Sequence, residues 1–155
     1  MSTDRLRQQC GKMLASDEEI LLDAECRLFQ SKTKSLFGRG GYGRAVLTGR
    51  RLIWIKRRVL AIEHLLPRRL PDVVESDLLS IERMRLLTGG LGLSGLEVTH
   101  DDFRYAYHLA RGPFPFMFWN SRTTREWFGA VKLRLAEAGR EVPVEIVSTF
   151  RIERG

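Results

Sequence analysis

A mainly β fold closed by one helix near the C-terminus is what this sequence predicts, and three observations carry the expectation. Several short segments alternate apolar and polar residues at period two. Glycine, proline and paired acidic residues punctuate those segments where turns are needed. One longer amphipathic stretch, between Thr123 and Gly139, carries helix signals at both ends. At 155 residues, 43% apolar and 29% charged, the chain suits a single globular domain able to bury its own core.

Residues 3–14 place Leu6, Cys10 and Met13/Leu14 at helical spacing, which predicts a short amphipathic helix at the domain edge. In "EEILLDAECRLFQSKTKSL", Ile20, Leu22, Ala24, Cys26 and Leu28 fall on one side of a strand over about 19–31. "SLFGRGGYG" reads as a glycine-rich loop. "RAVLT" and "RLIWIKRR" then flank the turn Thr48-Gly49-Arg50-Arg51, where Gly49 is expected to supply a positive φ. In the second arm Leu52 and Trp54 face one way and Ile53 and Ile55 the other, which predicts cover on both faces, with Lys56, Arg57 and Arg58 continuing to a solvated end.

Pro67 and Pro71 mark a connection. A strand is expected near 80–88, followed by the turn "TGGLGLSG". "LEVTH" and "FRYAYHLA" form a hairpin around Asp101-Asp102, and "FPFMFW" forms a short edge strand. Thr123 with Glu126 reads as a capping box, Gly139 as the residue that ends the helix, and Trp127, Phe128, Val131, Leu135 and Ala138 as its core stripe. Three parts follow: a short helix within 1–16, the main domain over 17–139, and a tail over 140–155 that is either strand-like or mobile.

Cys10 and Cys26 have neither CxxC nor Cys/His ligand spacing, so no metal, disulfide framework or cofactor is expected. The N-terminal stretch lacks the apolar core of a signal peptide, and no segment approaches the roughly 20 apolar residues that span a bilayer. A cytoplasmic protein, peripheral at a membrane inner face if it meets one, is the expectation. The formal net charge of +7 is local: residues 31–70 hold 11 basic residues against one acid, net +10, and the remainder holds 15 against 18, net −3. Such a block attracts phosphates of lipid or nucleic acid, or serves only as a solvated face.

Two motif matches carry no chemistry. "GLGLSG" satisfies G-x-G-x-x-G, but a strand follows where phosphate binding needs a helix N-terminus. His64, His100 and His108 lack a nucleophile with its base and a metal-ligand spacing, so they read as surface and turn residues. The aromatics Tyr105, Tyr107, Phe114, Phe116, Phe118 and Trp119 read as barrel lining before they read as a base-stacking groove.

"GRAVLTGRRLIWI" resembles the signature of the GRAM and bacterial pleckstrin-homology-like (PH-like) family through Gly43, Leu47, Thr48, Arg51, Leu52, Ile53 and Trp54. "VVESDLLSIE" is similar to a second family strand through Asp77, Leu78, Ser80 and Ile81, and "FMFWNSRTTREWFGAVKLRL" to its last strand, turn and tryptophan-bearing helix. The likeness covers about 17–139. It implies a PH-like barrel of about seven antiparallel strands in two near-orthogonal sheets, capped by the helix. It departs from the phosphoinositide-binding members, whose first-loop basic spacing Lys32, Lys34, Arg39 and Arg44 do not reproduce.

The function expected is that of a non-enzymatic binding module that docks a protein partner or anionic lipid headgroups. The residues expected to do so are Lys32, Lys34, Phe37, Arg39 and Arg44 around the first loop and Lys56, Arg57 and Arg58 at the hairpin end. Nucleic-acid binding through the same cations is the first alternative, and a purely structural interaction domain the second.

Overall fold

The computed structural model describes residues 3–33, 38–57, 70–89, 94–111, 118–119 and 121–148. In chain order the elements are α1 (Thr3–Met13), β1 (Ile20–Lys32), β2 (Gly38–Thr48), β3 (Arg51–Lys56), β4 (Val73–Asp77), a 3-10 turn (Leu78–Ser80), β5 (Arg83–Thr88), β6 (Gly95–His100), β7 (Phe103–Arg111), β8 (Phe118–Trp119), α2 (Ser121–Glu137) and β9 (Val144–Ser148).

β1 is the spine of the sheet. It pairs antiparallel with β2 along one edge and, from Glu25 to Lys32, with β7 along the other. β7 in turn gives the first part of its free edge to β6 and its last two residues, Ala110 and Arg111, to β8. The order is β4-β3-β2-β1-β7-β6-β5-β9, with β8 beside β7. Every pairing is antiparallel except that of β5 with β9. The two near-orthogonal sheets expected from the sequence are thus one continuous sheet, because β1 and β7 are long enough to belong to both halves.

That sheet curls into a half-barrel. Laid flat, β4 and β6 would be about 24 Å apart at the usual strand spacing. Yet Ser76 Oγ of β4 lies 2.8 Å from His100 Nε2 of β6 and 3.0 Å from the Tyr107 hydroxyl of β7. The inner face holds Ala24, Cys26, Leu28, Leu47, Leu52, Trp54, Met84, Leu96, Val98 and Tyr107, and α2 closes it with Trp127, Phe128, Val131 and Leu135. The helix ends as its sequence requires: Gly139 takes φ 72°, and Arg140 and Gly139 donate to the Leu135 and Ala136 carbonyls at 2.9 and 3.0 Å.

The outer face of the β2–β3 hairpin is covered as well. Val46, Ile53 and Ile55 pack with Cys10 and against Met13 and Leu14, so α1 lies on that face rather than at an edge. This accounts for the doubly apolar second arm.

The glycines of "GRGGYG" belong to β2 and not to a loop. A Cβ on Gly43 would lie 2.1 Å from the Ile55 carbonyl oxygen and 2.8 Å from the Trp54 ring, and one on Gly38 2.6 Å from the Phe29 ring. Alternate glycines therefore seat Trp54 on the inner face and Phe29 on the outer face, aromatic rings standing in for the missing side chains.

Gly49 does not have positive φ; among the described residues only Asp101, Asp102 and Gly139 do. The β2–β3 turn is closed instead by Thr48 Oγ1, which accepts from the Arg50 and Arg51 amides at 3.1 Å. The expected strand at 80–88 begins at Arg83, because the Asp77 carboxylate accepts from Leu79 N–H at 3.0 Å and winds 78–80 into the 3-10 turn. α2 begins at Ser121, so Thr123 is not its N-cap, and Ala138 is exposed. Within the tail, 144–148 is strand.

Candidate functional site

The site must be assembled from the cations of the basic block, and most of those among the described residues are committed to partners within the chain. Arg51 donates to both carboxylate oxygens of Glu18 at 2.9 and 3.0 Å, to Glu75 at 3.0 Å and to the Met13 carbonyl at 2.8 Å. Thr48 Oγ1 donates to the same carboxylate at 2.6 Å. The Arg51 guanidinium and these hydrogen bonds hold the Glu18 carboxyl down at about 2, and Glu18 in turn raises Arg51. Thr48 and Arg51, the polar residues of the hairpin signature, are the knot that ties α1 and its following loop to β3.

A second network lies on the outer face of β1 and β2. Arg44 donates to Asp23 at 3.1 Å and to Glu25 at 3.2 Å, and Arg57 donates to Glu25. Arg44 is 8%, Arg57 4% and Glu25 1% exposed. Burying charges is costly unless they are mutually paired, which two acids and two arginines achieve with no net charge. Lys56 is buried too, its ammonium 3.5 Å from the Leu70 carbonyl. The expectation that Arg44, Lys56 and Arg57 present a solvated basic surface is corrected by this burial. The carboxylate partners of the two arginines, Asp23 and Glu25, lie on β1, which runs alongside β2.

Lys32 and Arg39 differ. They lie beside Ser31 and Gly38, the last described pair of the β1–β2 hairpin, are exposed, and make no ion pair among the described residues. Thr33 N–H donates to the Asp102 carbonyl at 3.0 Å, which pins this end of the hairpin against the β6–β7 turn. Lys34, Phe37 and Arg58 lie outside the described residues.

Two aromatics of this hairpin stand partly exposed where the sequence reading did not single them out. Phe29 and Tyr42 are 39% and 41% exposed on the outer face. Phe29 falls out of phase with the apolar side of β1, and that phase was the available signal.

The described histidines are not surface residues. His100 is 5% exposed, bonded to Ser76, with Nδ1 3.1 Å from the Asp101 carboxylate and its ring stacked at 4.5 Å on Tyr105. An acid, an imidazole and a hydroxyl in series are the parts of a proton relay. Here Ser76 has no exposure and its hydroxyl is shared with the fully buried Tyr107, so the series is a polar seam joining the halves of the half-barrel. His108, half-buried, has Nδ1 3.0 Å from the Ser94 carbonyl oxygen, and burial lowers its pKa. No cluster of metal-ligating side chains occurs among the described residues.

No family model and no curated protein matches the chain. Solved structures do. The hSac2 domain from human phosphoinositide phosphatase Sac2 is similar with a TM-score of 0.54 at 11% identity, over 94% of this chain and 87% of that one. The Vps36 N-terminal PH domain is similar with a TM-score of 0.52 at 18% identity, over 83% of this chain and 86% of that one. The fold is PH-like. Among the described residues of this PH-like domain, no helix is long and apolar enough to cross a membrane.

Proposed function

We propose that this PH-like domain is a non-enzymatic binding module of the GRAM type that docks, in the cytoplasm, on an anionic membrane surface through the loop end of the β1–β2 hairpin. The observation that carries the reading is the division of the basic block. Arg44, Arg51 and Arg57 are spent on internal carboxylates, while Lys32 and Arg39 flank the first loop exposed and with no carboxylate partner among the described residues. Lys34 lies between them in the chain and adds a third cation. Each near-surface cation contributes about 1 kcal/mol toward an anionic leaflet, so three give useful but reversible attachment. The PH-like fold supports a binding role and leaves the ligand to the site.

Co-sedimentation with phosphatidylcholine vesicles, with and without about 30% phosphatidylserine, tests it. Wild type is expected to sediment with anionic vesicles only, and Lys32→Glu/Arg39→Glu to stay in the supernatant while retaining its unfolding midpoint. Absence of wild-type binding at low salt overturns the reading. A steep salt dependence on single-stranded DNA or RNA without vesicle binding would transfer the same cations to nucleic acid.

A further inference from the structure

β9 ends the sheet, and among the described residues no strand pairs with its outer edge. It is attached in parallel to β5 alone, with Val144 beside Met84, Ile146 beside Leu86 and Ser148 beside Thr88. Met84 N–H donates to the Pro143 carbonyl at 3.0 Å, and the Thr88 hydroxyl to the Val147 carbonyl at 3.2 Å. Along a strand the main-chain groups of successive residues turn to opposite edges. Residues 143, 145 and 147 therefore turn theirs toward β5, and Val144, Ile146 and Ser148 turn theirs outward.

The side chains of Val144 and Ile146 share the face of Met84 and Leu86, which is the inner face of the sheet. Met84 and Leu86 are buried there, whereas Val144 is 40% and Ile146 68% exposed, the latter more than any other large apolar side chain among the described residues. Sheet edges are ordinarily blunted by exposed charge, proline or a bulge. β9 has none of these: its register with β5 runs unbroken, and its one charged residue, Glu145, is held by Arg85 of β5 at 3.5 Å. At the opposite end of the sheet, β4 does carry such protection in the exposed acids Glu75 and Asp77.

We infer that β9 is a dimerisation edge, to which a second copy of this chain adds its own β9, antiparallel, about a two-fold axis at Ile146. The spacing of the outward groups selects that occupant. Val144, Ile146 and Ser148 are placed symmetrically about Ile146, so reversing the segment sets outward residues opposite outward residues: Ile146 faces Ile146 and Val144 faces Ser148. Each such pair can exchange both of its N–H···O=C bonds. On the other face Glu145 comes opposite Val147, so no like charges meet. The two isoleucines cover the apolar surface that each chain alone leaves open. A strand of five residues from each chain buries less than the roughly 1,200 Å² of a stable interface, so the dimer is a weak one. Pairing at this edge is independent of membrane docking.

Sedimentation equilibrium over about 1–500 μM protein tests it, wild type being expected to pass from monomer to dimer with a Kd of about 10–100 μM. Ile146→Lys sets like charges face to face on the axis. Ile146→Pro removes the outward N–H and leaves the bonds to β5 in place. Both are expected to weaken the dimer at least about tenfold without moving the unfolding midpoint. Ile146→Cys reports the register, because counterparts in such a pair have Cα atoms about 5.5 Å apart, within disulfide reach. Cys10 and Cys26 are buried and do not compete. Mild oxidation is expected to give a covalent dimer through position 146 and none through Leu133→Cys, which is 58% exposed on α2.

Wild type that stays monomeric over the whole range overturns the inference. A dimer whose Kd is unchanged in Ile146→Lys places the contact elsewhere and overturns it as well. Should Ile146→Pro lower the unfolding midpoint, Ile146→Lys and the cysteine pair decide. Oxidation no faster at 146 than at 133 then counts against the edge, and a covalent dimer specific to 146 sustains it.

Discussion

Trp54 and Gly43 cannot be changed independently. A methyl group at 43 would meet the Ile55 carbonyl and the indole together, and backbone cannot give way as a side-chain tip can. Gly43→Ala is expected to cost about 3 kcal/mol in urea unfolding. Gly49→Ala, with nothing within 4 Å and no positive φ, is expected to change stability by less than about 0.5 kcal/mol. Two glycines six residues apart thus have opposite consequences, and only one is architectural. Glu18 supplies a second residue-level test. Its carboxyl is depressed from 4.5 to about 2, so its contribution is complete above the unfolded value and is lost as pH falls from about 4.5 toward 2. Glu18→Gln should remove about 2 kcal/mol at neutral pH. It should also flatten the fall of the unfolding midpoint across that acidic range; an unchanged acid slope would place the linkage elsewhere.

Among the elements, β3 is unusual in being apolar on both faces. Leu52→Ala removes packing beneath α2 and the inner sheet, and Ile53→Ala removes it beneath α1. Each should cost about 2–4 kcal/mol by denaturant titration. A small effect for Ile53→Ala would mean that α1 does not stay docked in solution. This double burial was legible from sequence, because four consecutive apolar residues leave neither face of a strand polar. The β2 glycines were not legible as strand, since their reason lies in Phe29 and Trp54 on neighbouring strands. Nor was the break at Asp77: its carboxylate captures the Leu79 amide, a local competition that apolar counting does not register.

For the molecule as a whole, stability and binding are expected to separate cleanly among cations that look alike in the sequence. Arg57→Ala leaves Glu25 buried with one partner fewer and should cost about 3 kcal/mol, with vesicle affinity per folded molecule unchanged. Lys32→Glu/Arg39→Glu should do the reverse. The local excess of charge was plain in the sequence. Its cancellation was not, because Asp23 and Glu25 stand about twenty positions before Arg44 and meet it only across a ladder. Of the residues nominated for contact, the structure keeps Lys32 and Arg39 at the surface and draws Arg44, Lys56 and Arg57 inside. It also leaves Phe29 and Tyr42 partly exposed, which composition could not distinguish from core.

β1 also sets a timetable. Its first partner, β2, follows almost at once, but the residues that pair with its other edge come 71 to 85 positions later in the chain. At ribosomal rates of about 5–20 residues per second, that edge is synthesised roughly 4–17 s before its partner. Throughout that interval a nascent meander of β1 to β4 presents an unpaired row of backbone amides and carbonyls, with Cys26 and Leu28 still uncovered. The hazard of mispairing during synthesis is therefore concentrated on the free edge of the strand that later becomes the most enclosed.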